Sequence, residues 1–423
     1  MTRGVTVIAG GDHVDGGPSK DAEPPARGGA LEVFAVALGL GLTSFGGPIA
    51  HLGYFERTYV RRRAWLSAND FAGLVALCQM IPGPASSQVS FLIGLRRASW
   101  AGGFAAWLGF TLPSALLMFG FACLAPSLSG AVAQVVMHGL KLVAVAIVAQ
   151  AVWSMAGKLC PDLRRRAIAI LAAAILLVFG DPLIQLLALA IGAVGGMLLC
   201  RDVASPPAPP RLPVGRRTGL AALAIFLLLL IGLSLGAQAA PRSLLAMAAI
   251  FYRTGALVFG GGHVVLPLLR GALVPSGWLA DGSFLSGYGA AQAVPGPLFT
   301  FAAYLGAAIA PHASGIGAAT LWSATALVFI FLPGLLVALA GLPLWRWVGE
   351  HSTARGALAG VNAAVVGVLG AALYNPIWTT AILGARDLVV ALVALYLLQR
   401  WRCPPILIVV FCVGATTAMS VAH

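Results

Sequence analysis

Long runs of apolar residues follow one another along most of the chain, separated by short polar segments. Residues 104–124, 135–155, 220–234 and 318–342 are examples, and they approach the about 20 residues that a helix needs to cross a bilayer. Within these runs the apolar residues are continuous and do not alternate with polar ones, as they would in the strands of a membrane barrel. The pattern therefore predicts an all-α protein whose helices cross a membrane many times.

Composition and charge support this prediction. Of the 423 residues, 60% are hydrophobic and 9% are charged, whereas soluble domains carry roughly 25% charged residues. A net charge of +13 would suggest a nucleic-acid partner in a soluble protein. In a membrane protein, Lys and Arg in the loops set the orientation of the chain. We therefore expect the lipid bilayer, and no nucleic acid, as a partner.

The sequence contains an internal repeat. In the first copy, Ser44-Phe45-Gly46-Gly47 is followed by Trp65-Leu66, Phe71, Gln79 and Pro82-Gly83-Pro84. In the second copy, Val258-Phe259-Gly260-Gly261 is followed by Trp278-Leu279, Phe284, Gln292 and Pro295-Gly296-Pro297, with the spacing held to within one residue. A weaker correspondence joins Gly139-Leu140-Lys141 to Gly360-Val361-Asn362. The chain therefore consists of two homologous halves.

Five segments follow from this repeat. A Gly- and Pro-rich stretch, residues 1–30, is expected to be a disordered cytoplasmic tail. The basic, proline-rich stretch 201–217 is expected to be a cytoplasmic loop, because its prolines oppose helix formation. The predicted order is the tail, a first repeat at 31–200, the linker at 201–217, a joining transmembrane helix at 218–236 and a second repeat at 244–421. The joining helix would invert the second repeat relative to the first.

The positions of the arginines test this inversion. Arg61, Arg62 and Arg63 precede segment 71–95, and Arg96 and Arg97 follow it. Both clusters lie on one side only if the segment turns back at Pro82-Gly83-Pro84 as a re-entrant hairpin, each arm of about 11 residues reaching roughly the midplane. The same reasoning folds residues 31–54 into a hairpin. We expect about nine crossings and four hairpins, with the N-terminus cytoplasmic and the C-terminus outside.

These motifs resemble a known family. At Phe45-Gly46-Gly47-Pro48, Trp65-Leu66-Ser67, Gln79-Met80-Ile81-Pro82-Gly83-Pro84, Phe259-Gly260-Gly261-Gly262 and Pro295-Gly296-Pro297, the chain resembles the long, two-domain members of the chromate ion transporter family. The likeness covers nearly everything from residue 31 to 422. It implies an inner-membrane transporter that exports chromate, confers chromate resistance and is coupled to the proton motive force. Sulfate or another anion is the alternative substrate.

Helix breaks are the first candidate site. They direct backbone N–H groups and positive helix N-termini at a ligand, and inverted repeats bring such breaks together near the midplane. The alternative is that they are kinks packed against neighbouring helices. The candidate residues at the breaks are Phe45, Gly46, Gly47, Pro82, Gly83, Pro84, Gly260, Gly261, Gly262, Pro295, Gly296 and Pro297.

Neutral side chains near the breaks are candidate donors to an oxyanion. These are Gln79, Ser86, Ser87, Gln88, Gln292 and Thr300. Each of them has a second interpretation as a bond to a neighbouring helix, and Ser86 and Ser87 have one as helix caps.

Two cations stand apart from the loops. Arg253 lies in the apolar stretch 244–259, and its fork matches oxyanion geometry unless it snorkels to an interface. Lys141 is a weaker candidate with the same alternative, and Asn362 corresponds to it in the second repeat. His51, His263 and Glu56 are candidate proton-coupling groups. Their alternatives are packed, hydrogen-bonded histidines and a solvated ion pair of Glu56 with Arg57.

An enzyme is the main rival class. It would need clustered His, Asp or Glu residues or a nucleophile with its base, and no HExxH, GxSxG or P-loop motif is present. The six cysteines have no metal-ligand spacing. We therefore expect no catalytic residue, cofactor or metal. A passive channel remains the second rival, and a homodimer is one oligomeric state compatible with the sequence.

Overall fold

The protein is described here by a computed structural model. The structure describes residues 28–45, 47–125, 131–179, 182–203, 209–210, 212–259, 264–311, 315–401 and 403–421. Throughout these ranges every regular element is a helix, which confirms the predicted all-α fold. The predicted tail lies almost wholly outside the described residues.

Seventeen α-helices are described, together with short π-helical and 3₁₀ segments. In the first repeat they are α1 (Ala30–Thr43), α2 (Gly47–Phe55) with its π-helical continuation (Glu56–Arg62), α3 (Ala68–Met80), α4 (Ala85–Leu124), α5 (Ala131–Leu159), α6 (Leu163–Phe179) and α7 (Pro182–Leu199). The joining helix is α8 (Arg216–Ala239). In the second repeat they are α9 (Leu244–Leu257), α10 (Val265–Leu273), α11 (Asp281–Ala293), α12 (Phe301–Ile309), α13 (Gly315–Glu350), α14 (Ser352–Ala372), α15 (Thr379–Ala381), α16 (Ala385–Arg400) and α17 (Pro405–Val421).

Five helical segments in the described ranges are long and apolar enough to cross a bilayer. They are Ala85–Leu124, Gln134–Leu159, Arg216–Ala239, Gly315–Pro343 and Ser352–Ala381. The joining helix begins two residues before the expected boundary, because the last proline of the linker is Pro213 and Arg216 is free to enter the first turn. The short apolar runs near 167–180 and 388–398 are also helical, as parts of α6 and α16.

The first four helices form two hairpins whose outer ends meet at one end of the molecule, which we call the basic end. Glu32, near the start of α1, accepts from Arg63 at 3.4 Å and from Arg97 at 3.2 Å. Asp70, at the start of α3, pairs with Arg96 at 2.6 Å. Both hairpins therefore enter from the same side, as the arginine positions predicted, although the second arm of the first hairpin extends further than expected, to Arg62.

Helix α4 is itself two arms joined at a sharp bend. Ala98 and Ser99 have non-helical backbone angles, and Ser99 has a φ of 55°. Gly94 and Gly102 face each other so closely that a methyl group on either would overlap the other's backbone. Residues 85–97 are thus the return arm of the second hairpin, and residues 100–124 form the crossing that follows it.

The hairpins of the second repeat enter from the opposite end. Along α13, Ser323 packs against Gly306 of α12, Gly334 against Gly83, and Gly341 against Leu77 of α3. The helix therefore passes the second repeat's hairpin first, then the break at Gly83, then the first repeat's hairpin. The pair between Arg270 and Asp281, at 2.7 Å, joins α10 to the start of α11.

The two repeats exchange their terminal helices. Helix α14 of the second repeat packs on α6 and α7 of the first, and α5 of the first repeat packs on α16 and α17 of the second. Gly360 faces Gly192 and Gly196 on α7, while Gly139, its counterpart, faces Val413 and Thr416 on α17. Gly192/Gly196 and Gly356/Gly360 are small-xxx-small pairs, which allow close helix approach in membranes. The halves are therefore interlocked.

From the α7–α14 contact we predict opposite effects on stability when two glycines of α14 are replaced by alanine. In Gly360→Ala the new methyl would overlap the backbone oxygen of Gly192, whereas Gly370→Ala places its methyl in open space. We expect Gly360→Ala to destabilise the protein by about 1–3 kcal/mol. Gly370→Ala is expected to be neutral or to stabilise it by up to about 1 kcal/mol. Thermal unfolding of both variants in detergent measures this, and equal midpoints would contradict the close contact.

Candidate functional site

The first break separates α3 from α4 at Pro82-Gly83-Pro84. Gly83 has a φ of +122°, which favours glycine, and a methyl group there would lie 2.7 Å from the Cα of Gly334. The N–H of Gly83 donates to the carbonyl of Val258, at 2.7 Å. Val258 is the C-cap residue of α9 and so lies at the glycine break that follows this helix. The Pro-Gly-Pro break of the first repeat is therefore hydrogen-bonded to the glycine break of the second repeat.

The second break repeats this arrangement with the halves exchanged. Gly296 has a φ of +103°, and its N–H donates to the carbonyl of Ser44 at 2.9 Å. A methyl group at Gly296 would lie 2.7 Å from the Oγ of Ser114, which follows Pro113 as Gly334 follows Pro333. Each Pro-Gly-Pro break is therefore hydrogen-bonded to the other repeat. Each also packs against the residue that follows a proline within the other repeat's long helix.

The long helices α4 and α13 touch between the breaks. The ring of Phe331 lies 5.8 Å from that of Trp107 and 5.5 Å from that of Phe299, measured between centroids. Phe299 lies just after the second break, and Phe331 lies three residues before Gly334. The aromatic contact between α4 and α13 therefore lies inside the protein, between the two Pro-Gly-Pro breaks.

The sequence predicted that the breaks present backbone N–H groups to a ligand, and the structure shows which of these groups already have a partner in the protein. The N–H groups of Gly83 and Gly296 are used in the cross-repeat bonds. The N-terminus of α4 after Pro84 and the helical turn after Pro297 have no described side-chain cap. Both lie among buried residues, and the first N–H groups of a helix have no partner within it. At these two N-termini, unlike at the central glycines, backbone donors remain without a partner among the described residues.

Gln88 holds the first break together. Its Nε2 donates to the carbonyls of Pro82 and Gly334, both at 2.8 Å. Only its acceptor Oε1 is left without a partner among the described residues. The amide donors proposed for oxyanion binding are therefore occupied, and the geometry gives Gln88 a positioning role.

Several other polar atoms near the breaks are buried without a described partner. They are the hydroxyl oxygens of Ser44, Ser87 and Thr111. Ser87 is fully buried in the first turn of α4, and Ser44 and Thr111 lie next to the second break. Hydroxyls inside a membrane protein need a water or ligand partner, so this group indicates a polar site. Ser44 and Thr111 were missed because neither follows a proline break in the sequence.

The remaining predicted donors divide into two groups. The hydroxyl of Thr300 donates to the carbonyl of Pro297 at 2.8 Å, so its donor is used within its own turn. Ser86 is buried beside Ser87. Gln292 is half-buried next to the Tyr288 hydroxyl, and its Nε2 has no described partner of good geometry. Gln79 is exposed at the end of α3.

His51 is enclosed beside the second break. It is 1% exposed, and its ring stands edge-on to Phe110 with centroids 5.4 Å apart. It also lies next to the backbone of Ser44, the residue whose carbonyl accepts from Gly296. Neither ring nitrogen makes a bond of good geometry to a described residue. The backbone of Ser44 is thus the polar group that lies nearest to the imidazole ring among the described contacts.

The predicted cations do not converge on the breaks. Arg253 is exposed, although most of α9 around it is buried. The Nζ of Lys141 lies 3.5 Å from the position of a methyl group on Gly282, at the start of α11, about 16 Å of helix from the second break. Asn362 is buried, and its Oδ1 has no described partner.

Glu56 forms a solvent-exposed ion pair, as its alternative interpretation predicted, but with a different arginine. It pairs with Arg61 at 2.8 Å, not with Arg57, and both side chains are exposed. The π-helical turn brings Arg61 back to Glu56. Phe45 is half-buried, and Gly47, with a φ of 78°, begins α2. Gly46, Gly260, Gly261, Gly262 and His263 lie outside the described residues.

One titratable pair was missed by the sequence reasoning. His138 Nε2 lies 2.8 Å from Asp387 Oδ1, and the other carboxylate oxygen accepts from the N–H of Leu383. The pair joins α5 to α16, and no signal links residues so far apart in the sequence. No group of three or more metal-ligating side chains occurs in the described part of the chain.

Comparison with known proteins decides the family. The profile described as "Chromate transporter" matches the chain twice, at residues 31–197 and 245–417. The chain belongs to the chromate transporter family. It is therefore a multi-pass membrane protein of an ion-transport family, and the resemblance seen in its motifs is confirmed.

Three relatives show the extent of the likeness. A chromate transport protein of Pseudomonas aeruginosa is 30% identical over 83% of this chain and 82% of its own. A probable chromate transport protein of Synechococcus elongatus is 28% identical over 79% and 81%. A chromate transport protein of Cupriavidus metallidurans is 26% identical over 86% of both chains. No solved structure matches the chain.

The second break gives a prediction for Gly296→Ala. The variant combines an unfavourable φ with a contact against Ser114 Oγ, so we expect it to lower the melting temperature and to reduce anion flux at least about tenfold. Gly277→Ala, in a loop with a φ of 72°, is the matched control for backbone strain, because its methyl group would meet only the flexible end of the Arg242 side chain, at 3.2 Å. Adding Ser114→Gly should restore part of the stability. Normal flux and melting in Gly296→Ala would show that the break does not need its geometry.

Proposed function

We propose that this protein transports chromate, or another divalent tetrahedral oxyanion, across the inner membrane, and that it exports the anion and so confers chromate resistance. The observation that carries the proposal is the buried N-terminus of α4, where no described side chain caps the helix or bonds to the hydroxyl of Ser87. Its counterpart after Pro297 enters from the opposite end.

Two opposed helix N-termini suit a divalent anion. Each carries the positive end of a helix dipole and backbone donors without helical partners. The hydroxyls of Ser44, Ser87 and Thr111 replace part of the hydration that the anion loses. No full positive charge is needed at the centre, which keeps binding weak enough for release on the other side.

Cavities at both ends support a path through the breaks. A groove of about 710 Å³ opens at the basic end beside α1, and its inner end includes Thr43. A cavity of about 450 Å³ is lined by Met137, Ser283 and Tyr304, from α5, α11 and α12. The breaks lie between them. Arg253, exposed on α9 five residues before Val258, is proposed to guide the anion on the second repeat's side.

Proton coupling is proposed to act through His51. A neutral imidazole donates from one nitrogen and accepts at the other, whereas the protonated ring donates from both. Because His51 lies beside Ser44, gaining a proton would compete for the carbonyl that holds Gly296. Protonation and the position of the break are thereby linked, which makes the protein a secondary-active transporter. We propose that the basic end, and with it the N-terminus, faces the cytoplasm, which its arginines support through the positive-inside rule.

The transport function is tested by labelled chromate flux in vesicles carrying the purified protein. We expect uptake that saturates, that responds to an imposed pH gradient and that collapses with an uncoupler. Sulfate in excess is expected to compete in part, because it has the same shape and charge. Vesicles without protein are the control. Flux that ignores the pH gradient and does not saturate would indicate a passive channel.

Ser87→Ala tests the binding site itself. Losing one hydroxyl donor to a charged ligand costs about 1.5–3 kcal/mol, so the apparent KM for chromate should rise at least about tenfold. Ser234→Ala removes a hydroxyl that bonds only to Leu230 within α8 and should leave the KM unchanged. An unchanged KM in Ser87→Ala, with normal folded protein, would place the anion elsewhere.

A further inference from the structure

The groove at the basic end has a charge pattern that the central site does not explain. We propose that it is an entry site that collects inorganic oxyanions from solution and delivers them towards the breaks. We call it the arginine groove and define it by Glu32, Thr43, Thr58, Arg62, Arg63 and Arg97. This inference rests on the proposed function, because it concerns the same substrate before it reaches the central site.

Positive charge exceeds negative charge in the arginine groove. Arg63 and Arg97 share the single carboxylate of Glu32, at 3.4 and 3.2 Å, and Arg62 also lines the groove. Among the described residues that line the groove, three guanidinium groups therefore face one carboxylate. A concave surface with this excess attracts anions and raises their local concentration.

The two paired guanidinium groups are held in position by Trp65. Their central carbons lie 5.8 Å (Arg63) and 5.2 Å (Arg97) from the centre of its ring. Trp65 is buried and stacks on Tyr59, with ring centroids 5.2 Å apart. Cation–π contacts of this kind restrict where the two guanidinium groups lie, and the planar fork of each matches an oxyanion. The groove is thus pre-organised for an anion.

The groove leads towards the breaks. It follows α1 from Glu32 to Thr43, a helical rise of about 16 Å. Thr43 directly precedes Ser44, whose carbonyl holds Gly296. An anion that moves along this face of α1 therefore arrives next to the second break.

The second repeat shows that the fold does not require these charges. When Trp65 is aligned with Trp278 and Gly83 with Gly296, Ser276 takes the position of Arg63 and Ala310 that of Arg97. When Phe45 is aligned with Phe259, Ala246 takes the position of Glu32. The same hairpins are built there without the cluster. The positive-inside rule accounts for the sign of the basic end but not for the grouping of its charges around one groove.

The test compares two variants, one that removes a positive charge from the groove and one that removes the negative charge. The KM for chromate is measured in vesicles in which the orientation of the protein has been determined. Arg63→Gln removes one positive charge, and we expect the apparent KM for chromate to rise about three- to fivefold with the maximal rate retained. Glu32→Gln removes the negative charge, and the KM should fall. Both effects should appear only when chromate is supplied at the basic end, and both should shrink as ionic strength rises.

Arg61→Gln is the matched control. Arg61 lies two residues before Arg63, in the π-helical turn that Arg63 ends, but it pairs with Glu56 and does not line the groove. The KM of the Arg61→Gln variant should therefore match that of the wild type. If the Glu32 ion pairs serve only to hold the hairpins together, Glu32→Gln and Arg63→Gln will both lower the melting temperature. The KM will then neither rise in Arg63→Gln nor fall in Glu32→Gln, and this result would overturn the inference. If the wild-type protein moves no chromate, the proposed function itself fails.

Discussion

Two hydrogen bonds between the repeats determine how the centre of this protein is built. A helix that breaks inside a membrane leaves backbone groups that neither lipid nor its own helix can satisfy. Here the N–H of Gly83 bonds to Val258 and that of Gly296 to Ser44, so each repeat supplies the acceptor that the other lacks. The positive φ of both glycines follows from this geometry, because only such a turn directs the N–H across to the other repeat.

These two hydrogen bonds between the repeats also explain why the candidate site has no charged side chain among its described residues but has the partial positive charge of helix N-termini. The central glycines are used for structure, and the polarity left over belongs to the helix N-termini after Pro84 and Pro297 and to three hydroxyls without partners. Full charges lie outside this centre, on the exposed face of α9 at Arg253, at Lys141 beside Gly282 and in the arginine groove. Under the proposals made above, the arginine groove attracts the anion and the helix N-termini at the centre bind it.

The sequence predicted the breaks well because they depend on local chemistry. Proline and glycine interrupt a helix wherever they stand, and the repeated spacing of Pro-Gly-Pro indicates two equivalent turns. Which carbonyl accepts from each turn depends on packing between distant segments, and no local signal contains it. For the same reason Gln88 looked like a free donor until the carbonyls of Pro82 and Gly334 were found at its Nε2. The glycine pairs on α7 and α14 were visible in the sequence, but their partners were not.

The exchange of terminal helices has a consequence for synthesis of the chain. Helix α5 emerges from the ribosome long before α17, yet Gly139 of α5 packs against Val413 and Thr416 near the C-terminus. The first repeat therefore stays incompletely packed until nearly the last residues have been made. A nonsense mutation close to the end of the gene would damage the first half of the protein as much as the second.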